Sequence, residues 1–153
     1  FPDPEAGLRQ MRRGLKQRRR ACVMVFGAPE GNPCVAMTMA TALKHAGLPP
    51  RDPFAPGGLL SLGKPGLLDE LFIKAGFRGV ATTKVAAPFV LPSVDEYLAF
   101  LTSSAGPVLQ ILGRLEKASR AAAWAEVRER LNTFRTAEGW SGPNELLLTS
   151  GEV

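Results

Sequence analysis

Six consecutive apolar residues, Ala21-Cys22-Val23-Met24-Val25-Phe26, constrain this chain more than any other stretch. Rich in Val and lacking polar alternation, they predict a strand covered on both faces, as in an α/β sheet. A helix comes before them. Asp3 can cap it, and Pro4 takes the first helical position, where a missing N–H costs nothing. Leu8, Met11 and Leu15 recur at helical spacing, so one stripe faces inward while Arg9, Arg12, Arg13 and Lys16 face water. An α/β domain ordinarily starts with a strand, so this order predicts a chain that begins partway through a fold.

With 153 residues, 45% of them apolar, the chain is one domain by size and has enough apolar matter for a core. The net charge of +5 is concentrated in the run RRGLKQRRR near the start, a local feature and not a global field. A solvated helix face and turn explain that run best. Contact with nucleic acid or acidic lipid ranks behind, because no aromatic is interleaved for base stacking. Cys22 and Cys34 form no CxxC and His45 is the single histidine, so no metal site and no disulfide framework is expected, and Cys22 reads as reduced core. No apolar run reaches the length of a membrane span, and no signal peptide is evident, so the expectation is a soluble cytoplasmic protein.

Along the rest of the chain, Asn32-Pro33 predicts a cap and first turn for a helix to about His45, with Gly47 as its stop. Leu48 to Gly63 is rich in Pro and Gly and reads as an irregular excursion. Pro65 begins a third helix, buried through Leu67, Leu68, Leu71 and Phe72 and ended by Gly76, and a strand follows over 79–85. Ser93-Val94-Asp95-Glu96 predicts a capping box, and Gly106-Pro107 breaks the helix it opens. A short apolar segment follows over Val108 to Leu115, then a long helix from about Glu116 to Thr136, with Trp124, Val127, Leu131 and Phe134 on one stripe. Gly139, Gly142 and Pro143 mark the turn into a last strand, Asn144 to Ser150.

Several of these stretches are familiar in sequence. Phe1-Pro2-Asp3-Pro4, Leu8, Met11-Arg12-Arg13, Leu15-Lys16, Ala21 to Gly27 and Pro29-Glu30-Gly31-Asn32-Pro33 resemble the second half of class I S-adenosylmethionine-dependent methyltransferases of the ubiquinone/menaquinone-biosynthesis-like, small-molecule kind. In that family the helix ends in Arg-x-Leu-Lys-Pro-Gly-Gly. Here Gln17-Arg18-Arg19 stand in place of Pro-Gly-Gly, and Phe26 stands where Trp is common. Leu67-Leu68-x-x-Leu71-x-x-x-Ala75-Gly76-Phe77 is similar to the family's helix ahead of its sixth strand.

The resemblance implies the C-terminal half of a Rossmann-like sheet, a single partial domain over 1–153 with helices inserted at about 93–138. About three strands are expected, the last lying between the other two and antiparallel to them. No G-x-G-x-x-G or G-x-G-x-G occurs, so the cofactor-binding half is absent and no cofactor is expected for this chain alone. The implied function is the substrate-side half of a methyltransferase for a small apolar or aromatic acceptor, inactive by itself, with no catalytic residue assignable. Phe26, Asn32, Met37, His45, Phe54, Tyr97 and Phe100 are the expected acceptor contacts. The alternative is a non-catalytic dimeric module for an apolar ligand, with a basic nucleic-acid-binding protein ranked last. An unpaired edge on the strand Ala21 to Phe26 predicts a homodimer or a complementary N-terminal half.

Overall fold

The computed structural model describes residues 3–153 as a mixed α/β chain with six α-helices and two small antiparallel sheets. It divides into two compact units. The first comprises 1–28, 53–86 and 145–153, and the second 29–52 and 87–144.

The first unit opens with α1 (Pro4–Gly14), where the Asp3 carboxylate accepts from the Ala6 N–H at 2.9 Å, the expected cap. Leu8 is buried against Phe72, Ala75 and Phe77, with Met11 and Leu15 packed alongside. Strand β1 (Arg20–Phe26) follows, then α3 (Leu67–Lys74), β2 (Arg78–Ala86) and, at the far end of the chain, β6 (Glu145–Glu152). The strand order is β1-β6-β2 with β6 antiparallel to both neighbours, so the last strand lies between the other two as expected. Gly76, at φ 91°, ends α3 in the left-handed conformation that favours glycine. The stretch from Leu48 to Gly63 forms no helix or strand, as its composition predicts.

Burial of β1 departs from expectation. Of its seven residues only Ala21 is buried, and exposure alternates along the strand. Ala21, Val23 and Val25 pair with Gly151, Thr149 and Leu147 on the covered side, while Cys22, Met24 and Phe26 pair with Ser150, Leu148 and Leu146 on the other. That other side is open: Met24 is 62% exposed and Leu148 and Val85 are each 38% exposed. Cys22 is therefore an exposed residue and not core. An apolar run without alternation gives no sign of which face will be covered, because that depends on which helices the tertiary fold supplies.

The second unit holds α2 (Pro33–His45), β3 (Phe89–Leu91), α4 (Val94–Ser104), α5 (Gly106–Leu112), α6 (Lys117–Leu131), β4 (Arg135–Thr136) and β5 (Gly139–Gly142). Its sheet, in the order β3-β5-β4, was not foreseen. The helix expected to reach Thr136 stops at Leu131, and a 3-10 turn over Asn132–Phe134 leads into β4. Trp140 on β5 donates from Nε1 to the Leu131 carbonyl at 2.7 Å, taking an acceptor that lies at the end of α6. Gly139 and Gly142 bound that strand, and the expected turn into the last strand is only the Pro143-Asn144 connection between β5 and β6. A Cβ on Gly142 would run into the Trp140 ring, so the indole occupies space that only glycine leaves open.

Asn32 and Ser93 stand at the cap positions of α2 and α4, but neither side chain makes a capping bond. Gly106 and Pro107 open α5 rather than only ending α4, since proline suits a first turn. Helix α3 begins at Leu67, two residues after Pro65. Among the described residues no helix is long and apolar enough to cross a membrane.

Candidate functional site

Three groupings in the second unit have the makings of a site. The first is aromatic. Trp140 and Tyr97, each 1% exposed, stack with ring centroids 4.7 Å apart. Phe89 lies 5.3 Å from Tyr97, and Phe100 lies 5.9 Å from Phe89 and 6.1 Å from Tyr97. Helix α4 delivers Tyr97 inward and Phe100 toward the rim, where Phe100 is 49% exposed. Burial raises the Tyr97 hydroxyl pKa above its ordinary value, with the neighbouring Cys34 adding to the shift. Cys34 itself is buried in the same cluster, which pushes its thiol up to about 12. Burial thus favours the neutral form of both groups.

The second grouping joins α2 to α6. Glu126 accepts from Lys44 Nζ at 2.9 Å through each carboxylate oxygen, and His45 Nε2 lies 2.8 Å from its Oε2. These partners, Lys44 first and His45 second, hold the Glu126 carboxyl below its ordinary pKa. With Glu126 ionised and accepting, His45 Nε2 is the donor in that contact. One turn further along α6, Arg130 donates to Thr41 Oγ1 at 2.8 Å, fixing the two helices in register.

The third is an open hollow of about 480 Å³ walled by Ser93, Asp95, Arg128, Arg135, Glu138 and Trp140. Arg128 grips Asp95 in a two-point contact, Nε to Oδ1 at 2.6 Å and a terminal nitrogen to Oδ2 at 2.8 Å. That contact lowers the Asp95 pKa and raises that of Arg128, so the pair stays charged and mutually satisfied. Arg135 and Glu138, which also wall the hollow, form no ion pair among the described residues, so the charge it offers a ligand is theirs.

The seven residues expected at an acceptor site fall into separate places. Phe26 and Phe54 belong to the first unit and are half-buried. Asn32 and Tyr97 are sealed inside the second, with Met37 packed against the same core as Tyr97. His45 pairs with Glu126, and Phe100 reaches solvent. None of the seven lines the 480 Å³ hollow. The partners that sequence reading missed, Glu126 for His45 and Arg128 for Asp95, lie 81 and 33 residues away, beyond any local pattern. Trp140 was legible only as a tryptophan between two glycines.

The turn after β1 begins at Gly27, where a Cβ would sit 2.7 Å from the movable Glu145 carboxylate. Among the described residues no cluster of His, Cys, Asp or Glu is arranged to hold a metal ion. No protein-family model matches the chain, and no curated protein sequence matches it.

Proposed function

We propose that this chain is the substrate-side half of a class I S-adenosylmethionine-dependent methyltransferase for a small apolar or aromatic acceptor. The observation that carries the proposal is the sheet order β1-β6-β2, in which the terminal strand inserts antiparallel between two strands that each follow a helix. Two details lend support. Arg18, at the position where the family's turn has glycine, adopts φ 61°, the left-handed backbone that a glycine there would supply. The Ala75-Gly76-Phe77 corner likewise has its glycine left-handed.

This reading assigns no step to S-adenosylmethionine on residues of this chain, which has no G-x-G-x-x-G turn. On this reading the cofactor is held by a complementary half. That half would pair the outer edge of β1, which has β6 on its inner side alone, and would cover the face bearing Met24, Leu148 and Val85. The acceptor would be positioned by the present chain, with Phe100 as its exposed aromatic contact. Calorimetric titration with S-adenosylhomocysteine tests the proposal. The chain alone should give no heat, and the chain combined with a glycine-turn-bearing methyltransferase half should bind it; the absence of heat in both overturns the reading.

A second reading, a non-catalytic homodimeric module, draws on the same open edge and bare face. It requires self-association, and light scattering that finds a monomer at micromolar concentration rules it out.

A further inference from the structure

The whole net charge of the chain resides in one unit. The first unit carries eleven Lys and Arg against six Asp and Glu, which is the full +5, whereas the second carries eight of each. Within the first unit the excess collects at one end of the sheet. Strand β1 starts there, β6 ends there, and β2 starts there: Arg20 and Arg78 are both register partners of Glu152. The end of α1 is tied to the same place, since Arg12 Nε donates to the Gly76 carbonyl at 2.9 Å, ahead of β2. The turn between α1 and β1 is held there too, through the bond from Val153 N–H to the Arg19 carbonyl at 3.0 Å.

Arg13, Lys16, Arg18, Arg19, Arg20 and Arg78 are all exposed at this end. None of the six forms an ion pair among the described residues, and Glu152 is the carboxylate that β6 brings to them. Helix α1 accounts for Arg13, because a cation near a helix C-terminus is favoured by the backbone dipole. Arg20 donates to Ser150 Oγ at 3.1 Å and to the Gly79 carbonyl at 3.4 Å, and the other four have no such partner among the described residues. Like charges gathered at one end of a sheet repel one another, a cost that a bound polyanion would offset.

We infer that this basic end of the sheet docks the phosphate backbone of duplex DNA. Five of the six cations are arginine, whose planar fork matches phosphate oxygens in two-point contacts. Arg13 lies at the end of α1 and the others on strand starts and a short turn anchored by backbone hydrogen bonds, so their backbones form a fixed surface of the kind a rigid duplex needs. No Phe, Tyr or Trp occurs from Arg9 to Arg20, so a single strand would find no stacking platform in this run. Contacts confined to phosphates imply binding without sequence preference. The surface lies at the end of the sheet opposite Phe26, the residue that ends β1, so this inference stands independently of the methyltransferase reading.

The test is fluorescence anisotropy with a labelled short DNA duplex, repeated across a salt series. Six phosphate contacts predict a slope of log affinity against log salt of roughly −5. The variant Arg13→Gln/Arg19→Gln/Arg78→Gln, altered at exposed positions only, should reduce that slope by ~3 and weaken binding by about a hundredfold or more at low salt. The matched variant Arg51→Gln/Arg114→Gln/Lys117→Gln, in the neutral unit, should bind as the parent does. Circular dichroism of both variants establishes that each is folded. Absence of binding at low salt, equal loss in the two variants, tighter binding of single-stranded DNA, or binding to phosphatidylserine vesicles in preference to the duplex would each overturn the inference.

Discussion

Cys34 and Tyr97 are two ionisable groups that the second unit keeps neutral by enclosing them. Each has its pKa raised on folding, the thiol up to about 12, so each stabilises the fold fully below its unfolded value and loses that contribution as pH climbs toward the folded one. Unfolded thiols and phenols titrate near about 8.5 and 10, which places the onset of alkaline destabilisation at about pH 9. Urea unfolding midpoints should fall steadily above that pH, and Cys34→Ala should flatten the first part of the fall. A slope unchanged by the substitution would show that Cys34 does not contribute. The same enclosure predicts that a maleimide labels exposed Cys22 in the folded protein and reaches Cys34 only after denaturant is added. Arg18 poses the opposite case, a residue exposed and strained. At φ 61° a side chain costs about 1–2 kcal/mol in the left-handed region, offset in part by the greater unfolded freedom of glycine, so Arg18→Gly should stabilise by ~0.5–1 kcal/mol. Thermal unfolding of the purified variant checks the sign.

Among the elements, β5 is short but consequential. It contributes Trp140, whose ring fills the space beside Tyr97 and Phe134 and whose N–H satisfies the last carbonyl of α6. Trp140→Phe keeps an aromatic ring but leaves the Leu131 carbonyl without that donor, at a cost of about 1–3 kcal/mol for the unmet bond together with a cavity term. Chemical denaturation of the variant should show this loss, and a change below ~0.5 kcal/mol would mean that another donor reaches the carbonyl. Helices α1 and α3 were legible because their apolar spacing and capping residues are local. The strands β3, β4 and β5 have two to four residues each, too few for any periodicity to register.

For the molecule as a whole, the open face of the three-stranded sheet is the dominant feature. Met24, Leu148 and Val85 stand exposed on it beside an unpaired β1 edge, an arrangement that favours association with another surface. Met24→Lys places a charge in the middle of that face without disturbing the covered side, where Val23 and Val25 point. It should lower the average mass measured by light scattering at micromolar concentration if the parent self-associates, and block assembly with a complementary half if it does not. A variant that assembles as the parent does would remove this face from the interface. Charge is divided at the same scale, since one unit carries the net +5 and the other is balanced.

The sequence by itself determined the helix from Pro4, its aspartate cap, the strand from about Ala21, the irregular Pro- and Gly-rich excursion and the glycine that ends α3, because each rests on neighbours within a turn or two. Insertion of β6 between β1 and β2 followed from family likeness and not from residue pattern. Tertiary structure alone decided which side of β1 is covered, and it alone brought Glu126 to His45, Arg128 to Asp95 and Trp140 onto Gly142. The physical reason is range. Caps and amphipathic stripes are satisfied by residues three or four positions away, whereas burial of a sheet face and pairing of charged groups depend on elements that the chain returns to only after tens of residues.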